Sequence, residues 1–221
     1  MSPSQHLSFT LVLALAQSHF PAQAQLPTLD PLFATNGVLE LQLAPGLQNA
    51  GQGWSGQLVV LPSGGYLALG TAFYTDGFGS TADGVAQKFD ACGTPDPDFG
   101  VNGLKQYNGG SSWQVMPIRG AELANGSLLI AGTTTTGWGA VSQNRHTTMR
   151  VLADGTLDAT YGTAGFVRHD TPDGFSSTYG RDMIAMPNGK FLAAAVRSSN
   201  TNGGSSGLAL YRYLPNGEVD D

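Results

Sequence analysis

Leu157-Asp158-Ala159-Thr160-Tyr161-Gly162-Thr163-Ala164-Gly165-Phe166 decides the fold, because the chain writes this stretch more than once. It occurs earlier as Leu29-Asp30-Pro31-Leu32-Phe33-Ala34-Thr35-Asn36-Gly37-Val38 and as Pro95-Asp96-Pro97-Asp98-Phe99-Gly100-Val101-Asn102-Gly103-Leu104. A fourth copy opens at Val219-Asp220-Asp221. The aspartates Asp30, Asp96, Asp158 and Asp220 follow one another at steps of 66, 62 and 62 residues. Self-similarity at a fixed period marks solenoids, propellers and arrays, where a unit that cannot bury its own faces stacks on its neighbour.

Two other blocks keep the same beat. Leu61-Pro62-Ser63-Gly64-Gly65-Tyr66-Leu67-Ala68-Leu69-Gly70 returns from Leu123 to Gly132 and from Met186 to Ala195. Lys88-Phe89-Asp90-Ala91-Cys92-Gly93 returns from Arg150 to Gly155 and from Arg212 to Gly217. Within the first unit, short apolar runs bounded by Gly, Pro, Asn or Asp fall at Gly37–Leu43, Gln57–Leu61, Tyr66–Ala72 and Gly84–Phe89, and such runs read as strands. Asn-Gly between the second and third runs is a hairpin signal, since both residues tolerate positive φ. No stretch carries a capped helical period. The reading is all-β: a β-propeller-like array of three four-stranded antiparallel blades, with units at about 29–95, 96–157 and 158–219.

In the linking motif each side chain has a mechanical task. Asp30, Asp96 and Asp158 are expected to close Asx-turns onto the backbone two residues on. Phe33, Phe99 and Tyr161 are expected to plug the space between neighbouring blades, and Gly37, Gly103 and Gly165 to turn the backbone at positive φ. In this reading the link carries the chain from the last strand of one blade to the first strand of the next. Calcium is a rival use of an Asp-rich turn, but it wants several oxygen ligands and each copy supplies one or two carboxylates. The structural reading is preferred.

The motifs Leu-Asp-x-x-Tyr-Gly-x-x-Gly, Leu-x-Asn-Gly-x-Leu-Leu-x-Ala-Gly and Arg-x-Leu-x-Asp-Gly-x-Leu-Asp resemble the delta-60 repeat over about residues 29 to 221. The resemblance implies tandem units forming β-propellers in bacterial, mostly exported proteins. It implies no activity and no catalytic residues. The chain departs from the pattern at Ala34, Pro95 and Ala195. Closed propellers hold four to eight blades, so three units read as an incomplete ring. It is either a truncated array, or half of a ring that a second chain completes, or an open arc with apolar faces in water.

Residues 1–24 carry no Lys, Arg, Asp or Glu, an apolar run spans Leu7 to Ala16, and Ala22-Gln23-Ala24 supplies a small-x-small site. This predicts a secretory signal followed by a 25–221 repeat domain, placed in the periplasm, at the cell surface or outside the cell. No run is long enough to span a bilayer. The net charge of −6, with 12% charged residues and no basic cluster, argues against nucleic acid. The single Cys92 excludes an internal disulfide and a thiolate zinc cluster. It is expected to be tucked beside the Gly93 turn.

Variable segments at 44–56, 108–114 and 170–181, and at 73–83, 133–146 and 197–207, are expected to form loops at one end of the blades, where binding residues tend to sit. They carry Trp54, Tyr74, Trp113, Trp138, Phe175 and Tyr179, which suit either a glycan or the sealing of blade edges. The mature chain holds two histidines, His146 and His169, in different repeats, and no Gly-x-Ser-x-Gly elbow. The function expected is a structural or binding module with a glycan, a surface protein or a second copy as partner, and with no cofactor, metal or catalytic residue. A hydrolase or lyase using His169, Asp170 and Asp173 is the alternative.

Overall fold

The computed structural model describes residues 30–36, 38, 51–75, 80–108, 113–136, 143–169, 176–199 and 206–220. Among them every regular element is a β-strand: β1 (Gly51–Val60), β2 (Tyr66–Thr75), β3 (Ser80–Phe89), β4 (Leu104–Tyr107), β5 (Trp113–Glu122), β6 (Leu128–Thr136), β7 (Gln143–Val151), β8 (Phe166–Arg168), β9 (Ser177–Ala185), β10 (Phe191–Ser198) and β11 (Ser206–Tyr213). They form three antiparallel meanders, β1-β2-β3-β4, β5-β6-β7-β8 and β9-β10-β11. The expected run at 37–43 lies outside the described residues, apart from Val38. The other strands reach further than expected toward the variable end, so the connections there are shorter than the sequence suggested.

The sheets stack face to face in chain order. Side chains alternate across a strand, and the middle sheet shows what this does. Leu128 and Ile130 of β6 join Leu61, Leu67, Leu69, Ala86 and Val115 in one core, while Leu129 and Ala131 join Met183, Phe191, Ala193 and Tyr213 in a second. Both faces of β6 are covered, which is why seven consecutive residues from Leu128 to Thr134 are buried.

The linking motif does not cross between sheets as expected. β4 follows the second copy and pairs with β3, with Gly84 opposite Tyr107. β8 follows the third and pairs with β7, with Thr147 opposite Arg168. The motif therefore joins the third and fourth strands of one sheet, and the chain changes sheet after Tyr107 and after Arg168. A period read from sequence has no phase, so the unit boundary was displaced by one strand.

Asp30, Asp96 and Asp158 accept the N–H groups of Leu32, Asp98 and Thr160 at 2.9, 3.0 and 2.9 Å. These are Asx-turns. The aromatic residue then reaches the turn of the next sheet. A Cβ at Gly93 would fall 3.1 Å from the Phe33 ring, one at Gly155 3.3 Å from Phe99, and one at Gly217 2.8 Å from Tyr161. The residue after the aromatic bonds the same turn, Ala34 N–H to the Cys92 carbonyl at 3.0 Å and Gly100 N–H to the Asp154 carbonyl at 2.9 Å. Cys92 itself is exposed, not tucked in. Its backbone is held on both sides, by Asp90 at the N–H and by Ala34 at the carbonyl, and that leaves the side chain pointing out.

Each motif closes on a two-residue turn with both residues left-handed: Asn102 and Gly103 at φ 52° and 79°, Ala164 and Gly165 at 53° and 89°. Gly37 lies outside the described residues. The Asn-Gly hairpins differ. Gly126 and Gly189 have positive φ but Asn125 and Asn188 do not; their amide oxygens accept the N–H two residues on instead. Alanine pays for left-handed backbone where asparagine is tolerated, and the counterparts of Ala164 are Asn36 and Asn102. Ala164→Asn is therefore expected to raise stability by about 0.5–1 kcal/mol, read as a shift of the urea midpoint at unchanged slope.

Candidate binding face

Trp113 opens β5 opposite Thr136 and is half-buried. Trp113, Val115, Arg145 and Arg168 share one face of the middle sheet through the pairs Val115–Thr134, Thr134–Arg145 and Thr147–Arg168. The Arg145 and Arg168 guanidinium carbons lie 5.5 and 4.9 Å from the Trp113 ring centre, and Arg168 lies 4.5 Å over Phe166. Burial lowers the pKa of Arg168, and the Arg145 charge adds to the effect. A tryptophan face offsets the loss of water around a guanidinium.

Tyr179 of β9 sits at the next junction. Asn144 donates to its hydroxyl at 3.0 Å and to Ser177 Oγ at 3.3 Å, and accepts from Thr135 Oγ1 at 2.6 Å. One amide thus stitches the middle sheet to the third. Arg181 lies 5.6 Å over the Tyr179 ring. Trp54 and Tyr74 were expected in loops but belong to strands, opposite Thr71 and Thr81. Trp138 and Phe175 lie outside the described residues. Trp113 and Tyr179 each lie among polar and charged side chains at a blade edge, on two different sheets.

His146 and His169 belong to one sheet, not to different repeats: His146 is in β7, and His169 follows β8, its N–H donating to the His146 carbonyl at 2.9 Å. His146 is fully buried, with its ring centre 5.9 Å from His169 and 5.5 Å from Tyr211, while His169 stacks on Tyr211 at 4.7 Å. Burial, then the neighbouring His169, lowers the His146 pKa to about 4; the Gly132 carbonyl opposes this weakly. Neither His146 nitrogen completes a hydrogen bond. Asp170 and Asp173, the other members of the alternative catalytic cluster, lie outside the described residues. Among the described residues no group of three His, Cys, Asp or Glu side chains is placed to hold a metal, and no helix is long and apolar enough to cross a membrane.

The sequence reading missed a second periodic element. Lys88, Arg150 and Arg212 end the third strand of each sheet and bridge to Asp96, Asp158 and Asp220 at 3.0, 2.7 and 2.5 Å. The signal was present as a cation eight residues before Asp96, Asp158 and Asp220. Arg150 does more, donating to the Pro215 carbonyl of the following sheet at 2.9 Å and lying 5.0 Å over the Tyr161 ring. Asp158 titrates below the usual carboxylate range, first through the Thr160 hydroxyl and also through Arg150, against a smaller opposing effect of burial.

Residues 123–161 and 187–221 match a family described as a β-propeller domain of unknown function, DUF5122. Each matched segment starts at the repeated hairpin; the first ends at the motif tyrosine and the second runs into the opening of the fourth motif copy. The two segments are similar to β-propeller repeats, and the stacked antiparallel meanders fit that fold. The match falls on the hairpin, the two strands after it and the cation–aspartate pair, the parts that also superpose by period. The matched segments also run through the variable segments 133–146 and 197–207. No curated protein matches the chain.

Proposed function

We propose that the chain is an exported, non-catalytic module of the periplasm or cell surface that acts through the faces of its propeller blades. One observation carries this reading: each end of the stack presents an apolar sheet face with no other blade on it among the described residues. On the first sheet Leu58 and Val60 are exposed beside a groove of about 470 Å³ lined by Phe33, Tyr66, Ala68 and Phe89. On the third, Ile184, Leu208 and Leu210 are exposed. Contiguous apolar surface of this kind marks an interaction site. The resemblance of the repeated motifs to the delta-60 repeat and the apolar, uncharged 1–24 segment support export.

A second reading places a glycan at the variable end, favoured by Trp113 beside two guanidinium groups and by the amide of Asn144. Immobilised chain separates the two. Soluble chain flowed over it is expected to bind saturably, and Trp113→Ala is expected to leave that signal unchanged. Saturable binding of neutral or acidic glycans, lost in Trp113→Ala, with no response to soluble chain, overturns the blade-face reading in favour of the loop end.

A further inference from the structure

The two faces that carry no other sheet among the described residues are complementary halves of a junction the molecule already makes twice. Let the leading face of a sheet be the one toward the preceding sheet, and the trailing face the one toward the following sheet. At the first junction, Val59, Leu67, Leu69 and Ala86 form the trailing face of sheet one and pack against Leu128, Ile130, Met149 and Val151 of the leading face of sheet two. At the second, Ala121, Leu129 and Ala131 pack against Met183, Phe191, Ala193 and Tyr213.

The repeat register maps each free face onto one of these. Ile184, Leu192, Ala194 and Leu210 of sheet three stand where Val59, Leu67, Leu69 and Ala86 stand in sheet one, by the pairings Leu192–Ile184, Ala194–Leu210, Val59–Leu67 and Leu69–Ala86. Tyr66, Ala68 and Phe89 of sheet one stand where Leu128, Ile130 and Val151 stand in sheet two. Ile184, Leu208 and Leu210 are 63, 72 and 62% exposed, and Leu58 and Val60 are 64 and 71% exposed. The last sheet thus offers a trailing face and the first a leading face.

We infer that the occupant of each free face is a second copy of this chain, joined head to tail, the trailing face of sheet three seated on the leading face of the partner's first sheet. This rests on the blade-face reading above and adds the identity and polarity of the partner. Heterologous contacts close into a ring when the rotation allows. Two copies of the three described sheets give six, within the range of closed propellers. Both faces are apolar and carry few charges, as the two internal junctions do, so nothing in the pairing buries an unmatched ion.

Complementation tests this. Leu58→Arg blocks the leading face and Leu210→Arg the trailing face. Both side chains are exposed, so each variant is expected to keep the wild-type far-UV circular dichroism and a cooperative thermal transition, which excludes misfolding, while its midpoint falls by the stabilisation that the lost association supplied. The wild-type chain is expected at twice its monomer mass by light scattering, each variant alone at monomer mass, and an equimolar mixture of the two again at dimer mass through one intact junction. A wild-type chain that stays monomeric at all concentrations overturns the blade-face reading itself. A dimer that either variant alone retains, or a mixture that stays monomeric, overturns only the head-to-tail pairing.

Discussion

Tyr161→Ala is expected to destabilise the chain by about 3–5 kcal/mol, the range for deleting a large buried aromatic. The ring is fully buried in the second core, its hydroxyl shares a 2.7 Å hydrogen bond with Thr148, and Gly217 of the next sheet is cut back to receive it. Burial pushes the Tyr161 pKa up to about 12, with Thr148 and Arg150 pulling the other way. Tyr161→Phe keeps the ring and loses only the hydroxyl, so about 1 kcal/mol is expected, the net contribution of one hydrogen bond. Phe99, the counterpart one repeat earlier, shows that the site accepts a plain phenyl ring. Urea unfolding of the two variants separates the contribution of the ring from that of the hydroxyl. Equal losses in both would mean that the hydrogen bond, not the plug, holds the sheets.

Acidification is expected to cost about 3 kcal/mol between pH 7 and pH 4 through His146 alone. The folded pKa is about 4, against 6.5 for the free side chain. Above pH 6.5 both states are neutral and the full stability is present. As pH falls, the unfolded chain takes up the proton while the folded chain resists, so stability drops until the folded pKa is reached. The groups facing the ring are His169, Tyr211 and Tyr213, with Arg197 bonded to the Tyr211 hydroxyl. Asp96, Asp158 and Asp220 all titrate below the ordinary carboxylate value, so their loss is added at lower pH. His146→Phe preserves an aromatic in the cluster and is expected to flatten the pH 4–6.5 slope while leaving the loss below pH 4. An unchanged slope would exclude His146 as its source.

Much of the fold was legible because the chain repeats itself. The hairpins, the Asx-turns and the aromatic plugs recur in sequence and recur in space. Their periodicity established the blade before any contact was known. What the period could not supply was phase: β4 and β8 look in sequence like the start of a unit, and only hydrogen bonding assigns them to the sheet before. The lengths of β2 and β3 were also hidden, since Tyr74 and its neighbours near the hairpin read as loop by composition and as strand only once paired. The Lys88, Arg150 and Arg212 ladder was visible as spacing but unread, because a lone cation eight residues from an aspartate has no meaning until a turn brings the two together. At the variable end the sequence showed which aromatics were present. It did not show that Trp113 has a guanidinium on its face or that Asn144 ties Tyr179 across a junction, since those contacts join residues of different strands. Cys92 was misread because its turn holds the backbone and leaves the side chain outside.

Each linking motif keys its own sheet to the next one. Native-state hydrogen exchange of the wild type and Tyr161→Ala tests it directly, because exchange reports stability strand by strand. Amides in β9–β11 are expected to lose protection while those in β1–β3 keep theirs. Protection lost equally in all three sheets, or in none, would contradict it.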